Sequence, residues 1–271
     1  KKFNGKSGLI NAIVHAINGI MLSNGLTSAD IRGIGLGLPG PVDATRGIVH
    51  FFPNIPGWKN VNLKKILQSK LKIRIYIDND ANLMCLAEQR LGAARGANHA
   101  ICMTLGTGVG GGIIIDRKLY RGRNNVTGEI GHIPLNEDGP ECGCGGKACL
   151  EAYVGNSRVL YKARQIFGNK ITLERLSELA RRGNRPAKSI WKDVGEKIGL
   201  AVAGIVNLLN PDCVVIGGGM AEAGSVLFKS IIRTAKLRAM PVQSANVKIV
   251  KAKLGSEAGL FGAAILVKEG G

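Results

Sequence analysis

Half of the cysteines lie in one short stretch, and this stretch constrains the fold more than any other. The chain has 6 Cys in 271 residues, and three of them fall within residues 142–149, CGCGGKAC. His132 precedes this stretch, which gives the spacing His132-x9-Cys142-x-Cys144-x4-Cys149. One imidazole and three thiolates are the ligand set of a tetrahedral zinc site.

The residues between these four side chains include few apolar ones, so burial alone would not fold them. A bound metal would supply the missing stabilisation. Because all four ligands come from the protein, the pattern predicts a closed, structural zinc site rather than a catalytic one. The alternative is a flexible loop with unpaired cysteines, which would place three oxidisable thiols side by side.

The rest of the chain has the composition of a globular protein with a sizeable core. Hydrophobic residues make up 45% and charged residues 21%. No run of about 18 apolar residues occurs, so no membrane span is predicted. Cys85, Cys102 and Cys213 stand alone in apolar segments and are predicted to be small buried residues. This cysteine usage indicates a reducing, cytoplasmic compartment.

The formal net charge is +18, which admits two interpretations. One is a polyanionic partner, such as nucleic acid, polyphosphate or a membrane surface. The other is a solvated basic surface without a dedicated partner. The basic residues are dispersed, without a run of five, and aromatic residues make up only 4%. Because stacking on bases needs aromatic side chains, the sequence favours the solvated surface.

Apolar periodicity alternates between strand and helix along the chain, which predicts an α/β architecture. Strands are predicted at 31–38, 73–77, 100–105, 112–115, 213–216 and 246–251. Helices are predicted at 7–23, 61–70, 81–92, 155–167, 172–181, 187–209, 221–239 and 257–268. Residues 121–150 have the character of a loop.

Two glycine-rich segments follow predicted strands. The first, LGTGVGGG at 105–112, could bring backbone N–H groups and the Thr107 hydroxyl to phosphate oxygens, or could be an ordinary glycine-rich hairpin. It is not a P-loop, since no Gly-Lys-Ser/Thr ends it. The second, Gly217-Gly218-Gly219, could receive an anion or a flat ring at the start of a helix, or could be a tight turn.

Carboxylates stand at two further positions of interest. Asp78-Asn79-Asp80 lies between a strand and a helix, where one Asp could cap the helix and another could act as a general base. Glu129 and Glu151 flank the cysteine stretch. If metal binding fixes them in space, they can accept hydrogen bonds from sugar hydroxyls; otherwise they are solvated surface residues.

Together these segments resemble the repressor–open reading frame–kinase (ROK) family, in particular its bacterial glucokinase-like sugar kinases. The resemblance covers nearly the whole chain and rests on seven motifs: GLPGPVD (37–43), NIPGW (54–58), DNDAN (78–82), GTGVGGG (106–112), GEIGH (128–132), CGCGGKACLE (142–151) and NPDCVVIGGGM (210–220). The cysteine segment with its flanking glutamates is the most specific of these motifs.

The resemblance implies an actin-like (ribonuclease H-like), two-lobed ATPase fold with a zinc-binding loop and a sugar in the cleft. The implied lobes are 1–97, with 257–271 packing back on it, and 98–256, which contains the zinc loop 132–149. The activity implied is transfer of a phosphoryl group from ATP, with Mg²⁺, to the terminal hydroxyl of a hexose, glucose first. A homodimer is also implied, since dimers are common in the family.

The resemblance also implies a role for each matching residue. Asp80 would be the catalytic base. The sugar would be bound by Gly40, Asn79, Asp80, Glu129, His132 and Glu151. The nucleotide would be bound by Gly106, Thr107, Gly108, Gly217, Gly218 and Gly219. Structural Zn²⁺ would be held by His132, Cys142, Cys144 and Cys149.

The sequence departs from the family pattern in three places. Family kinases open with a strand carrying an Asp-x-Gly-x-Thr phosphate loop that this chain lacks, so we expect the natural protein to begin further upstream. Ala148 replaces the usual Gly before the last Cys, and Gly155 replaces a common Ser. Two alternatives stay open: a kinase that uses polyphosphate as donor, and a sugar-responsive repressor with an N-terminal DNA-binding domain, the one case that implies a nucleic-acid partner.

Overall fold

The computed structural model describes residues 5–52, 55 and 57–270. Asn54 and Pro56 of the NIPGW motif lie outside this part of the chain. The chain forms two compact units. The first consists of Lys1–Ala87, Arg121–Thr127 and Glu257–Gly271, and the second of Glu88–Tyr120 and Gly128–Ser256. The lobes proposed above, 1–97 with 257–271 and 98–256, stay a prediction.

Strands and helices follow one another along the chain, and we number each kind in order. The strands are β1 Ile34–Leu38, β2 Val42–Asp43, β3 Ile48–Val49, β4 Val61–Asn62, β5 Ile75–Asn79, β6 Ala100–Leu105, β7 Val109–Ile115, β8 Lys118–Leu119, β9 Cys213–Gly217 and β10 Lys248–Lys251. The α-helices are α1 Gly5–Ser23, α2 Leu63–Leu71, α3 Asp80–Arg90, α4 Leu150–Val154, α5 Asn156–Phe167, α6 Leu173–Arg181, α7 Arg185–Leu209, α8 Ser225–Arg238, α9 Pro241–Asn246 and α10 Ala258–Glu269.

The first unit contains two small sheets. Strands β1 and β5 pair in parallel, with Gly37 opposite Asp78, and β2, β3 and β4 form an antiparallel sheet. Leu63, Leu67 and Leu71, spaced by four residues on α2, are buried in the core of this unit. This spacing places them on one face of the helix, as expected for a helix that covers a core.

The second unit is built on a five-stranded sheet with the order β10-β9-β6-β7-β8. Strands β10, β9 and β6 run parallel, whereas β7 and β8 continue the sheet in antiparallel pairs. All five residues of β9 are buried, as expected for a central strand. The core of this unit also takes in Trp191 and Val202 from the 25-residue helix α7.

The observed elements confirm the predicted α/β architecture. The described part of the chain includes no helix with both the length and the apolar character that crossing a membrane requires.

Candidate functional site

The four predicted metal ligands come together in the second unit. The side-chain ligand atoms of His132, Cys142, Cys144 and Cys149 all lie within 4.8 Å of one another. His132 Nδ1 is 3.7 Å from Cys142 Sγ, and Cys144 Sγ is 3.7 Å from Cys149 Sγ. A tetrahedral zinc site with Zn–S bonds of about 2.3 Å has edges of about 3.8 Å between its sulfur atoms. These distances fit a four-coordinate zinc ion, and they are far too long for a disulfide bond.

Backbone hydrogen bonds hold the loop that carries the cysteines. Leu135 N donates to Ala148 O at 2.9 Å, and Cys142 N donates to Gly146 O at 2.8 Å. Ala148 has a φ of +56°, in the left-handed region that favours glycine. The glycine expected here from the resemblance would adopt this φ readily. This chain adopts the same φ with an alanine, whose methyl group is buried.

The two ring nitrogens of His132 face different groups. Nδ1 faces the cysteine cluster, whereas Nε2 lies 3.8 Å from Oε2 of Glu129. A carboxylate beside the second nitrogen of a metal-binding histidine orients the ring. The arrangement thus places one of the predicted sugar-binding glutamates beside the histidine of the cysteine cluster.

The thiols of the cluster differ in acidity. Burial, followed by hydrogen bonds with Cys144 and Cys142, raises the pKa of Cys149 to about 12. A hydrogen bond from the Gly146 backbone, with further bonds to the neighbouring thiols, lowers the pKa of Cys144. A metal must therefore displace a tightly held proton from Cys149, and its binding releases protons to solvent.

Glu151 connects the cysteine loop to the glycine-rich turn between β6 and β7. Its Oε2 accepts a hydrogen bond from Val109 N at 2.8 Å. A Cβ on Gly108 would clash with the same oxygen, so the carboxylate packs against bare backbone. Gly106 N donates to Gly108 O at 2.9 Å, and the Thr107 side chain is exposed. The turn is thus fixed internally, with a hydroxyl presented to solvent.

The Gly217–Gly219 segment leaves β9 and passes into a short 3₁₀ helix, Gly219–Ala223, before α8 begins at Ser225. The prediction of one helix over 221–239 was wrong at its start. Gly224, with a φ of +77°, separates the two helical segments. Gly218 has a φ of +86°, and a Cβ there would clash with the backbone oxygen of Leu105.

The surroundings of Gly218 and Gly219 differ, and this difference gives a stability prediction. We expect Gly218→Ala to lower the free energy of unfolding by about 2–3 kcal/mol, because it combines a strained φ with a backbone clash. The matched control is Gly219→Ala, since nothing lies within 4 Å of a Cβ at Gly219. Urea unfolding of both variants measures the difference, and equal stabilities would contradict the account.

The three side chains of the Asp78-Asn79-Asp80 turn make different contacts. Asn79 caps helix α3: its Oδ1 accepts hydrogen bonds from Ala81 N at 2.9 Å and Asn82 N at 3.3 Å. The Asn79 amide nitrogen donates to Gly40 O at 3.0 Å, so two predicted sugar-binding residues are bonded to each other. Asp78 is fully buried.

Asp78 is satisfied by four donors. Its Oδ2 accepts from Arg121 Nε at 2.9 Å and pairs with Arg121 Nη2 at 2.8 Å. Its Oδ1 accepts from Asn79 N and from Asn82 Nδ2, both at 2.8 Å. A carboxylate held in this way is structural, which leaves Asp80 as the acidic group of this turn that can meet a reactant.

Asp80 is the first residue of α3, and its Oδ1 accepts a hydrogen bond from Ala81 N at 2.9 Å. By surface area the residue is exposed. Surrounding protein atoms nevertheless remove part of the hydration of its carboxylate. This desolvation raises the pKa of Asp80 above its ordinary value of 3.8, against the opposing effect of the Ala81 N–H. A raised pKa is what a general base needs to take up a proton efficiently.

Sequence reasoning missed Arg121, the partner of Asp78. These two residues are 43 positions apart, and Arg121 stands in a loop with no periodic pattern. It also missed Glu88, a fully buried carboxylate whose Oε1 accepts hydrogen bonds from Lys253 N and Leu254 N. Contacts at such separations leave no local signal in a single sequence.

The comparisons with known proteins agree on the family. The family model "ROK family" matches residues 3–270. The glucokinase of Thermotoga maritima is 35% identical to this chain over 98% of the chain and 87% of its own length. The xylose repressor of Caldicellulosiruptor bescii is 33% identical over 89% of the chain and 63% of the repressor.

Among solved structures, a ROK family glucokinase from Streptomyces griseus in complex with glucose and AMPPNP is similar, with a TM-score of 0.84. It is 32% identical, and the match covers 98% of this chain and 89% of that one. The chain therefore belongs to the ROK family and has the mixed α/β fold of that family. The cluster of one histidine and three cysteines agrees with the zinc motif on which the resemblance first rested.

Proposed function

We propose that the protein is a sugar kinase that transfers the γ-phosphoryl group of ATP to the terminal hydroxyl of a hexose, with glucose as the first candidate. The observation that carries the proposal is the difference between the surroundings of the Asp78 and Asp80 carboxylates. Asp78 is buried and saturated with donors, whereas Asp80 is accessible and has a raised pKa. The similarity to glucokinases supports the same assignment.

In the proposed reaction Asp80 accepts the proton of the sugar hydroxyl while that oxygen attacks the γ-phosphorus. The bond from phosphorus to the bridging oxygen breaks, and ADP leaves. A Mg²⁺ ion bound with the nucleotide would neutralise part of the phosphate charge. Thr107, with Gly106 and Gly108, would face the phosphates, and Gly217, Gly218 and Gly219 would border the nucleoside. Hydrogen-bond donors aimed at phosphate oxygens stabilise the charge that develops during transfer.

The sugar is proposed to be bound by Gly40, Asn79, Glu129, His132 and Glu151. A zinc ion held by His132, Cys142, Cys144 and Cys149 would stabilise the loop that contains His132 and that Glu129 and Glu151 flank. The distances among the four side chains fit such an ion. The metal would have no part in the chemical step, because the protein provides all four ligands.

The raised pKa of Asp80 predicts the pH dependence of the reaction. A general base acts only when deprotonated, so activity falls as the pH falls through the pKa of Asp80. Since that pKa is raised, the acid limb of kcat/KM is expected above pH 3.8. A pH profile with saturating ATP and limiting sugar measures it, and a limb at or below 3.8 would contradict the assignment.

Sugar-dependent ADP formation by the full natural protein, measured across a panel of hexoses, tests the proposal and identifies the substrate. Glucose, mannose, fructose and the N-acetylated hexosamines share most of their hydroxyl groups, so all of them belong in the panel. Inorganic polyphosphate is tested in place of ATP, with sugar phosphate as the measured product, because the dispersed basic residues suit a polyanionic donor. If none of these sugars is phosphorylated with either donor, the proposal is overturned.

A second candidate function is a sugar-responsive transcriptional repressor. The similarity to a xylose repressor over 89% of the chain favours it. The discriminating observation is the pairing of sugar binding with turnover: a kinase consumes ATP when sugar binds, and a repressor binds sugar without consuming ATP. Under this alternative the full natural protein is expected to bind operator DNA with an affinity that sugar changes.

A further inference from the structure

Residues 121–127 form a short loop of the first unit that joins two stretches of the second unit along the chain. We call this loop the strap. Thr127 N donates to Arg121 O at 3.3 Å, which closes the strap on itself. Its first residue, Arg121, is mostly buried, with 21% of its side chain exposed. The reaction proposed above assigns no role to any residue of the strap.

Two buried carboxylates attach the strap to the rest of the first unit. Asp78 holds the guanidinium of Arg121 through Oδ2, with distances of 2.9 Å to Nε and 2.8 Å to Nη2. Asp43 accepts a hydrogen bond from Asn125 Nδ2 at 3.0 Å through its Oδ1. Thr45 Oγ1 lies 3.3 Å from the other end of the Asn125 amide. The strap is therefore held by specific polar contacts at its first residue, Arg121, and at Asn125.

The carboxylate of Asp78 connects the strap to the turn that carries Asp80. Its Oδ1 accepts from the backbone N–H of Asn79 and from the side chain of Asn82, one turn further along α3. Asn79 directly precedes Asp80 in the chain, and Asn82 follows it by two positions. A fully buried carboxylate is destabilising unless it is paired and hydrogen-bonded, and Arg121 supplies the cationic partner.

We propose that Arg121 is a positioning residue for the reaction. By pairing with Asp78 and holding its carboxylate in place, it fixes the turn from Asn79 to Asn82 and thereby the direction in which the Asp80 carboxylate points. The proposal rests on the proposed function, in which Asp80 is the base. Because small misplacements of a catalytic group slow chemistry steeply, loss of this cation is expected to lower kcat by about 10–100-fold. The KM for the sugar is expected to change much less.

The test compares three substitutions in the full natural protein. Arg121→Met removes the charge and the donors at similar length. Arg121→Lys keeps the charge with fewer donors and should recover part of kcat. The matched control is Arg123→Met, which removes the same charge from an exposed position on the same strap; its kcat is expected to stay at the wild-type value.

Hydrogen exchange supplies a readout that does not depend on catalysis. In Arg121→Met the amides of Asn79, Ala81 and Asn82 are expected to exchange at least about tenfold faster, because their acceptors are no longer held. Amides of the cysteine loop, such as Cys142 N, should be unchanged. Unchanged exchange at all three amides would overturn the proposal, and so would faster exchange with an unchanged kcat.

If Arg121→Met does not fold, the double variant Asp78→Asn/Arg121→Met takes its place. An amide at position 78 keeps an acceptor for Asn79 N but leaves no unpaired charge. A kcat in this variant as low as in Arg121→Lys or lower supports positioning by the ion pair, and a wild-type kcat overturns it. Absence of turnover in the wild type would overturn the proposed function itself, while the exchange data still report whether Arg121 holds the turn.

Discussion

Replacement of Asp80 by Asn is expected to lower kcat by about 10²–10⁴-fold, the range that general-base catalysis contributes. The substitution keeps the size of the side chain and an oxygen that can accept from Ala81 N, so helix α3 should form as before. What is lost is the ability to take up the proton of the attacking hydroxyl. Steady-state rates of ADP formation with saturating sugar and ATP measure the effect.

Two controls sharpen this prediction. Sugar affinity, measured by calorimetry, should change little, because the substitution removes a proton acceptor and leaves the other predicted sugar-binding groups in place. Asp116→Asn is the matched control, since this exposed aspartate lies in the turn between β7 and β8. A wild-type kcat in Asp80→Asn would remove Asp80 from the chemical step.

Replacement of Cys144 by Ser is expected to release the metal and to destabilise the second unit. Structural zinc contributes roughly 10–16 kcal/mol to the folding of zinc-finger peptides, so loss of one thiolate has a large effect on a loop with little apolar content. The loop starts at His132, which lies beside Glu129, and it leads directly into α4, which carries Glu151. Sugar affinity should therefore fall along with zinc content and thermal stability.

Zinc content by atomic absorption, thermal unfolding and sugar calorimetry on the same sample test this expectation. Cys213→Ala is the control, because this buried cysteine belongs to β9 and is not part of the cluster. The control should keep its zinc. Full zinc content in Cys144→Ser would show that the four side chains are not the ligands of the metal.

Local patterns in the sequence predicted the regular elements well where periodicity was strong. Helix α7 was predicted at 187–209 and runs from Arg185 to Leu209, and β6 was predicted with the bounds observed. Strands β2, β3 and β4 were missed. Each has two residues, which is too short to show an alternating pattern, and each is defined only by its pairing with a neighbouring strand.

For the candidate site, too, the sequence predicted one part and left another part open. The four side chains of the cysteine cluster lie within eighteen residues, so their spacing alone predicted that they would meet, and the structure brings them together. The sequence left open which aspartate of the Asp78-Asn79-Asp80 turn caps α3. The structure gives the capping contacts chiefly to Asn79, because its side-chain oxygen reaches two backbone N–H groups of the first turn.

Contacts between distant segments account for what the sequence could not provide. The bond from Val109 N to Glu151 joins residues 42 positions apart and gives Glu151 a structural contact in addition to its predicted role. The pairing of Arg121 with Asp78 is of the same kind. Such contacts depend on how complete elements pack, which a local pattern in the sequence does not record.

The central claim is that a sugar hydroxyl, rather than water, receives the phosphoryl group from ATP. The most direct test is to incubate the full natural protein with ATP and glucose and to quantify ADP and sugar phosphate in the same sample. The account predicts that both form in equal amounts and that neither forms without the sugar. Glucose binding without formation of either product would contradict the account and would favour the repressor.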